Sequence, residues 1–159
     1  MRIAHNYLSL LALCLGGLLL ITGCASDPNV EGAKLNLRNS NFQKALDNIS
    51  IALENNPQNG EAWLVKAQVH QKQMQNVNSL AARDTIFSNM VEALQNAQEY
   101  GAEGDLTRQI QVAWVNEMQA GGDAFNAMQG SGSDTTAAGQ ATERAVHHFE
   151  NATEIIPDS

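Results

Sequence analysis

The sequence predicts an all-α protein, and three observations carry that class. Apolar residues recur at intervals of three and four almost throughout the 159 residues, Ala is abundant among them, and no run alternates β-branched with polar residues over the length of a strand. Breaks are clear: Asn55-Asn56-Pro57, Gly101 to Gly104 and Gly130 to Gly139 interrupt the periodic segments with residues that favour turns.

Six helices follow, at 29–39, 41–55, 60–75, 84–100, 105–128 and 140–156. The first starts directly after Pro28. The second carries Leu46, Ile49 and Leu53 on one stripe and ends at Pro57. Gly60-Glu61-Ala62-Trp63 opens the third. The fourth bears Ile86, Met90, Ala93 and Ala97 on one face, and the fifth runs between the Gly104 and Gly130 breaks. The sixth has Val146, Phe149, Ala152 and Ile156 in register.

Internal repetition turns these six helices from a bundle into a stack of about three antiparallel pairs. Ala45, Ile49, Ala52 and Pro57 have the same spacing as Ala145, Phe149, Ala152 and Pro157. The pattern resembles the second helix of a tetratricopeptide repeat, in which small residues let helices approach, a large apolar residue fills the gap and Pro ends the helix. Phe42 sits where such repeats carry an aromatic residue. In the second unit Trp63 and Ala67 fall at matching positions, His70 stands where an aromatic is usual, and Lys66 replaces the family's Leu. Ile86, Met90 and Ala93 take the small-large-small places, with Gln98 in place of the Pro. Met118, Gly121, Gly122 and Phe125 suggest a third first-helix, with Trp114 as an alternative anchor. The resemblance covers about 29–159 and implies a solenoid. The competing arrangement is an irregular closed bundle, in which the helix at 41–55 packs against that at 140–156.

Two insertions depart from the repeat. Residues Gln73 to Arg83 and Gln129 to Gln140 lengthen the junctions within the second and third units, and Gly130-Ser131-Gly132-Ser133-Asp134-Thr135-Thr136 reads as a mobile loop.

The N-terminus carries an address. Arg2 and His5 precede a fourteen-residue apolar run, Leu8 to Ile21, the length of a secretory signal and short of the roughly 20 residues that span a bilayer. Ile21-Thr22-Gly23-Cys24 resembles the lipobox of bacterial lipoproteins. The resemblance implies a signal peptide over 1–23, lipidation of Cys24 by a thioether-linked diacylglycerol, and a short tether at 24–28. An ordinary cleaved secretory peptide and a retained anchor are the other readings. Ala25-Ser26 after the cysteine lacks the Asp that marks inner-membrane retention, which implies an outer-membrane lipoprotein facing the periplasm. Cys14, after bulky Leu13, would leave with the signal peptide.

The chain carries 17 acidic and 9 basic side chains, a net charge of −8. Cleavage after Gly23 would remove Arg2 and no acid. Such a chain is repelled by phosphate backbones and anionic headgroups, so nucleic acid is not an expected partner. No Ser-His-Asp order, phosphate-binding glycine loop or HExxH motif occurs. His147 and His148 are neighbours on a helix and point about 100° apart, unable to chelate one ion together. Neither catalytic residues, nor a metal site, nor a cofactor is expected.

Binding remains. In tetratricopeptide repeats the first helices line a concave groove, and the matching positions here are Lys34, Leu37, Arg38, Leu64, Gln68, Gln71 and Lys72. The resemblance implies a membrane-anchored scaffold or assembly factor for a protein or peptide partner; the Asn and Lys pattern of the carboxylate-clamp subfamily is not reproduced. The alternative is the anchored helical part of a larger envelope enzyme or secretion complex whose active component lies elsewhere. A stack stopping at Pro157 lacks the further repeat or polar capping helix that would cover its last apolar edge.

Overall fold

The computed structural model describes residues 26–77, 79–102 and 105–156. The lipobox, Cys24 and the signal segment lie outside the described residues. The protein is all-α: six helices, α1 (Pro28–Arg38), α2 (Phe42–Asn55), α3 (Gly60–Met74), α4 (Leu80–Glu99), α5 (Leu106–Gly130) and α6 (Thr135–Ile155), and no strand among the described residues. No helix among them is long and apolar enough to cross a membrane.

The helix ends follow local chemistry. At the start of α1 the Asp27 carboxylate accepts from the Asn29 N–H at 2.8 Å and Pro28 occupies the first turn. The same helix closes with the Asn41 N–H on the Asn36 carbonyl and the Ser40 N–H on the Leu37 carbonyl, which puts Ser40 at φ 58°. The end of α4 repeats that closure with the residue it favours: Ala102 N–H reaches the Ala97 carbonyl, and Gly101 takes φ 65°.

Two helices begin earlier than the sequence predicts. α4 opens at Leu80 rather than 84, so Arg83 is helical. α6 opens at Thr135, and α5 continues to Gly130, so the expected mobile loop reduces to a connection of four residues, 131–134. Asp134 is the cause: its Oδ1 accepts from the Thr136 and Ala137 N–H groups at 3.1 and 3.0 Å, and an Ala-rich turn follows.

Packing is pairwise and sequential. α1 lies on α2, α3 on α4, and α5 on α6; α3 also meets α1 and α2, while α5 meets α3 and α4, and α6 meets α4. Helices α2 and α6 do not touch, so the closed-bundle arrangement is absent among the described residues. The first apolar cluster joins Val30 and Ala33 of α1, Ala45, Ile49 and Ala52 of α2, and Ala62, Val65 and Val69 of α3. The second centres on Ala67, Met74, Phe87, Met90, Val91 and Leu94, with Ala113 from α5. α3 is buried around most of its circumference because it belongs to both. The last pair differs. Its buried apolar residues are all alanines, Ala113, Ala124, Ala141, Ala145 and Ala152, and Gly121 admits the Phe149 ring so closely that a Cβ there would lie 2.7 Å from it.

Candidate functional site

A groove of about 530 Å³ opens where α1, α3 and the start of α5 converge. Lys34, Leu37 and Arg38 come from one face of α1. Glu61, Leu64, Val65 and Gln68 come from α3 at spacings of three, four and seven, which puts them on one stripe. Asp105 and Arg108 close the far end.

Five of the seven residues singled out in the sequence thus line one depression: Lys34, Leu37, Arg38, Leu64 and Gln68. Gln71 and Lys72 do not. Gln71 is buried, its Oε1 accepting from the Gln109 amide of α5, and it lines a separate cleft. Lys72 is exposed beyond the groove. The α3 stripe that faces α1 drifts away past Gln68, which is why spacing alone carried the prediction two positions too far. Glu61, Val65, Asp105 and Arg108 were not anticipated. A signal existed for Glu61 and Val65, at the same helical spacing as Leu64 and Gln68, but none for the α5 residues, whose placement depends on tertiary packing.

The groove is polar with an apolar floor, and its charges are unequally engaged. Lys34 Nζ lies 2.5 Å from Glu61 Oε1 and 2.7 Å from Glu31 Oε1. Its hydrogen bonds to Glu31 and then Glu61 hold its pKa above the usual lysine value, against the opposing effect of burial. Arg108 bonds Asp105. Arg38 is exposed and makes no hydrogen bond or ion pair among the described residues; its charge acts on Glu31 only at longer range. The guanidinium therefore keeps its fork of donors for an incoming acceptor.

The second cleft, about 250 Å³, lies between α3, α4 and α5, and beneath it is a polar network that the sequence did not reveal. Glu117 on α5 is buried, its side chain 1% exposed. Arg83 Nη2 donates to its Oε1 at 2.5 Å and Arg83 Nη1 to the Met74 carbonyl at 3.1 Å. His148 Nδ1 is 2.8 Å from Oε2, and Asn151 Nδ2 donates to the same oxygen at 3.3 Å. Beside them His147 Nε2 lies 2.9 Å from Asp84 Oδ1. Burial opposes ionisation of Glu117 most strongly, but the His148 hydrogen bond and the adjacent positive charge of Arg83 together hold its pKa below the usual carboxylate value.

Both oxygens of Glu117 are engaged, so the carboxylate ties α4, α5 and α6 together. No group of three or more His, Cys, Asp or Glu side chains is placed to hold a metal ion among the described residues. Fold and groove together define a class: an all-helical protein with an open, mixed-charge depression. No family model matches the chain, and no curated protein or solved structure matches it.

Proposed function

We propose that this protein is a membrane-anchored interaction module of the bacterial envelope: a three-pair, tetratricopeptide-like stack, tethered through a lipidated Cys24, that holds an extended protein segment in the groove along α1, α3 and α5. The order of packing supports the repeat reading. Each pair touches the next, first helices α1, α3 and α5 meet in sequence, and α2 never returns to α6. The lipobox supports the anchor, since two or three acyl chains at about 0.8 kcal/mol per buried methylene hold a protein at a bilayer without help from its surface.

The observation that carries the binding reading is the placement of Arg38. It stands in a groove where Lys34 and Arg108 already have carboxylate partners, so among the described residues that line it Arg38 is the cation left for a ligand. A side-chain or terminal carboxylate on an extended peptide matches that donor fork, and Leu37, Leu64 and Val65 supply an apolar floor for its neighbouring residue.

A fluorescence-polarisation screen of short peptides with free or amidated C-termini tests this. Binding by peptides bearing a carboxylate, weakened about tenfold or more by Arg38→Ala and unchanged by Lys72→Ala, is the expected result. Equal binding of charged and amidated peptides, or indifference to Arg38, overturns it. Metabolic labelling with an alkyne fatty acid tests the anchor, and the label is expected to vanish in Cys24→Ser.

A further inference from the structure

We propose that the outer groove between α5 and α6 docks a basic amphipathic helix of a partner protein, with Met118, Phe125, Val146 and Phe149 as its floor and Glu143 and Glu150 as its charged edge. This surface shares no residue with the peptide groove along α1, α3 and α5, so either binding activity can exist without the other.

Apolar exposure is concentrated here. Of the eight large apolar side chains exposed among the described residues, six belong to α5 and α6, so the last pair presents a patch and not the single exposed residues normal on a protein surface. Met118 and Phe125 stand three residues before and four after Gly121 on one face of α5, and the Phe149 ring of α6 rests on that glycine. Val146, one turn before Phe149, is 50% exposed.

The first helix pair shows what fits such a groove. Ile49 of α2 holds the place in the four-point spacing that Phe149 holds in α6, yet Ile49 is 1% exposed and Phe149 is 36% exposed. The difference is α3, which meets both α1 and α2 and brings Ala62, Val65 and Val69, spaced three and four apart, to the cluster around Ile49. Nothing among the described residues covers Val146 and Phe149 in that way. The occupant that the internal precedent calls for is a helix. From Thr142 to Thr153 the α6 edge of the groove is about 17 Å long, a length that three to four helical turns cover.

Charge selects the kind of helix. Glu143, Val146 and Glu150 follow one another at spacings of three and four, so both acids share the outward face of α6 with an apolar residue between them. Both are exposed, and neither takes part in a salt bridge among the described residues. The matching edge on α5, Val115, Gly122 and Gln129, is uncharged. A complementary helix therefore carries an apolar stripe with Lys or Arg seven residues apart on the flank that faces α6, and needs no charge on the flank that faces α5. The chain's net charge of −8 draws the same helix in at long range and repels an acidic one, a second copy of this chain included.

The test uses the full-length chain in nanodiscs of zwitterionic lipid, with a photo-crosslinking phenylalanine analogue at Thr153. The probe is a labelled synthetic helix of about 15 residues, with leucines at spacings of three and four and two arginines seven apart on one flank. Its adduct is expected to exceed at least about tenfold that of the same peptide with glutamates for arginines, and that of a scrambled peptide of the same composition. A similar excess is expected over the analogue placed at Leu35, which is exposed on α1. Phe125→Ala should cut the adduct about tenfold with helical circular dichroism unchanged. Glu143→Arg combined with Glu150→Arg should reverse the preference, so that the glutamate peptide labels better. That chain, at −8 before the two changes, is still net acidic, so overall charge would go on favouring the arginine peptide. Equal labelling by the arginine, glutamate or scrambled peptides, equal yield from Leu35, a chain-to-chain adduct in place of the peptide, or an arginine preference that survives the double variant in folded protein overturns the proposal.

Discussion

Arg83 and Glu117 are 34 residues apart in sequence and 2.5 Å apart in space, and their ion pair links the second and third helix pairs. Around it, His148 and Asn151 bring α6 to the same carboxylate, and Gln71 and Gln109 bridge α3 to α5. The joint between these pairs sets that polar network beside an apolar contact, in which Leu106, Ile110, Ala113 and Ile155 pack on the second cluster, whereas the joint between the first two pairs is made of apolar groups.

Removing one partner should therefore be worse than removing both. Glu117→Ala leaves Arg83, 15% exposed, without its counter-charge, and a loss of about 3 kcal/mol is expected in urea unfolding. Glu117→Leu combined with Arg83→Met should recover much of that loss, since the desolvation penalty goes with the charges. A double variant no more stable than Glu117→Ala would contradict this account of the joint.

Acid should weaken the same joint. The Glu117 pKa is lower in the folded chain than in the unfolded one, so the unfolded state binds more protons as pH falls and stability falls with it. The contribution is fully present above the ordinary carboxylate value of 4.5 and is lost as pH drops through the lowered folded value. Urea midpoints measured from pH 7 down to pH 3 should show this component in the wild type and lack it in Glu117→Gln.

Ser40 offers a stabilising change. It adopts φ 58° in the same helix-ending motif that Gly101 completes at φ 65°. Ser40→Gly should add about 0.5–1 kcal/mol by relieving the clash of Cβ with the backbone, and Gly101→Ala should remove a similar amount. Thermal melts of the two variants moving in the same direction would refute the pairing.

Gly60 should tolerate nothing larger. A Cβ there would sit 2.7 Å from the Tyr100 carbonyl oxygen and 2.8 Å from the Ala102 nitrogen, both backbone atoms that cannot rotate away. Gly60→Ala is expected to cost about 1–3 kcal/mol by calorimetry, whereas Gly122→Ala, with open space around it, should not destabilise the folded chain.

Local information was legible in the sequence, and mutual information was not. Ala45, Ile49 and Ala52 announced a buried stripe, and their burial followed, because a helix face is fixed by spacing alone. The same spacing at Ala145, Phe149 and Ala152 predicted a filled gap, but Phe149 remains partly exposed, since filling requires a helix on the far side. Glu117 gave no sign of burial. A lone acid in a helix reads as surface until its cation and hydrogen-bond donors are known to converge from other helices. The groove shows the same division: α1 and most of α3 were readable from helical register, while Asp105 and Arg108 arrive only through the packing of a third pair whose repeat pattern is loose.

The polar joint also bears on how the molecule comes apart. Each of the first two pairs shares an apolar cluster through α3, so α1 to α4 should melt as one cooperative block. α5 and α6 rest on alanines, on the half-buried Leu106, Ile110 and Ile155 at the edge of the second cluster, and on a carboxylate whose attachment depends on pH. Calorimetry should thus find the heat of unfolding divided between two transitions once the pH falls below the ordinary carboxylate value of 4.5, with amide protons of α5 and α6 exchanging before those of α3. A protein of this design yields by the block, and its last pair can be released while the groove's walls on α1 and α3 still stand.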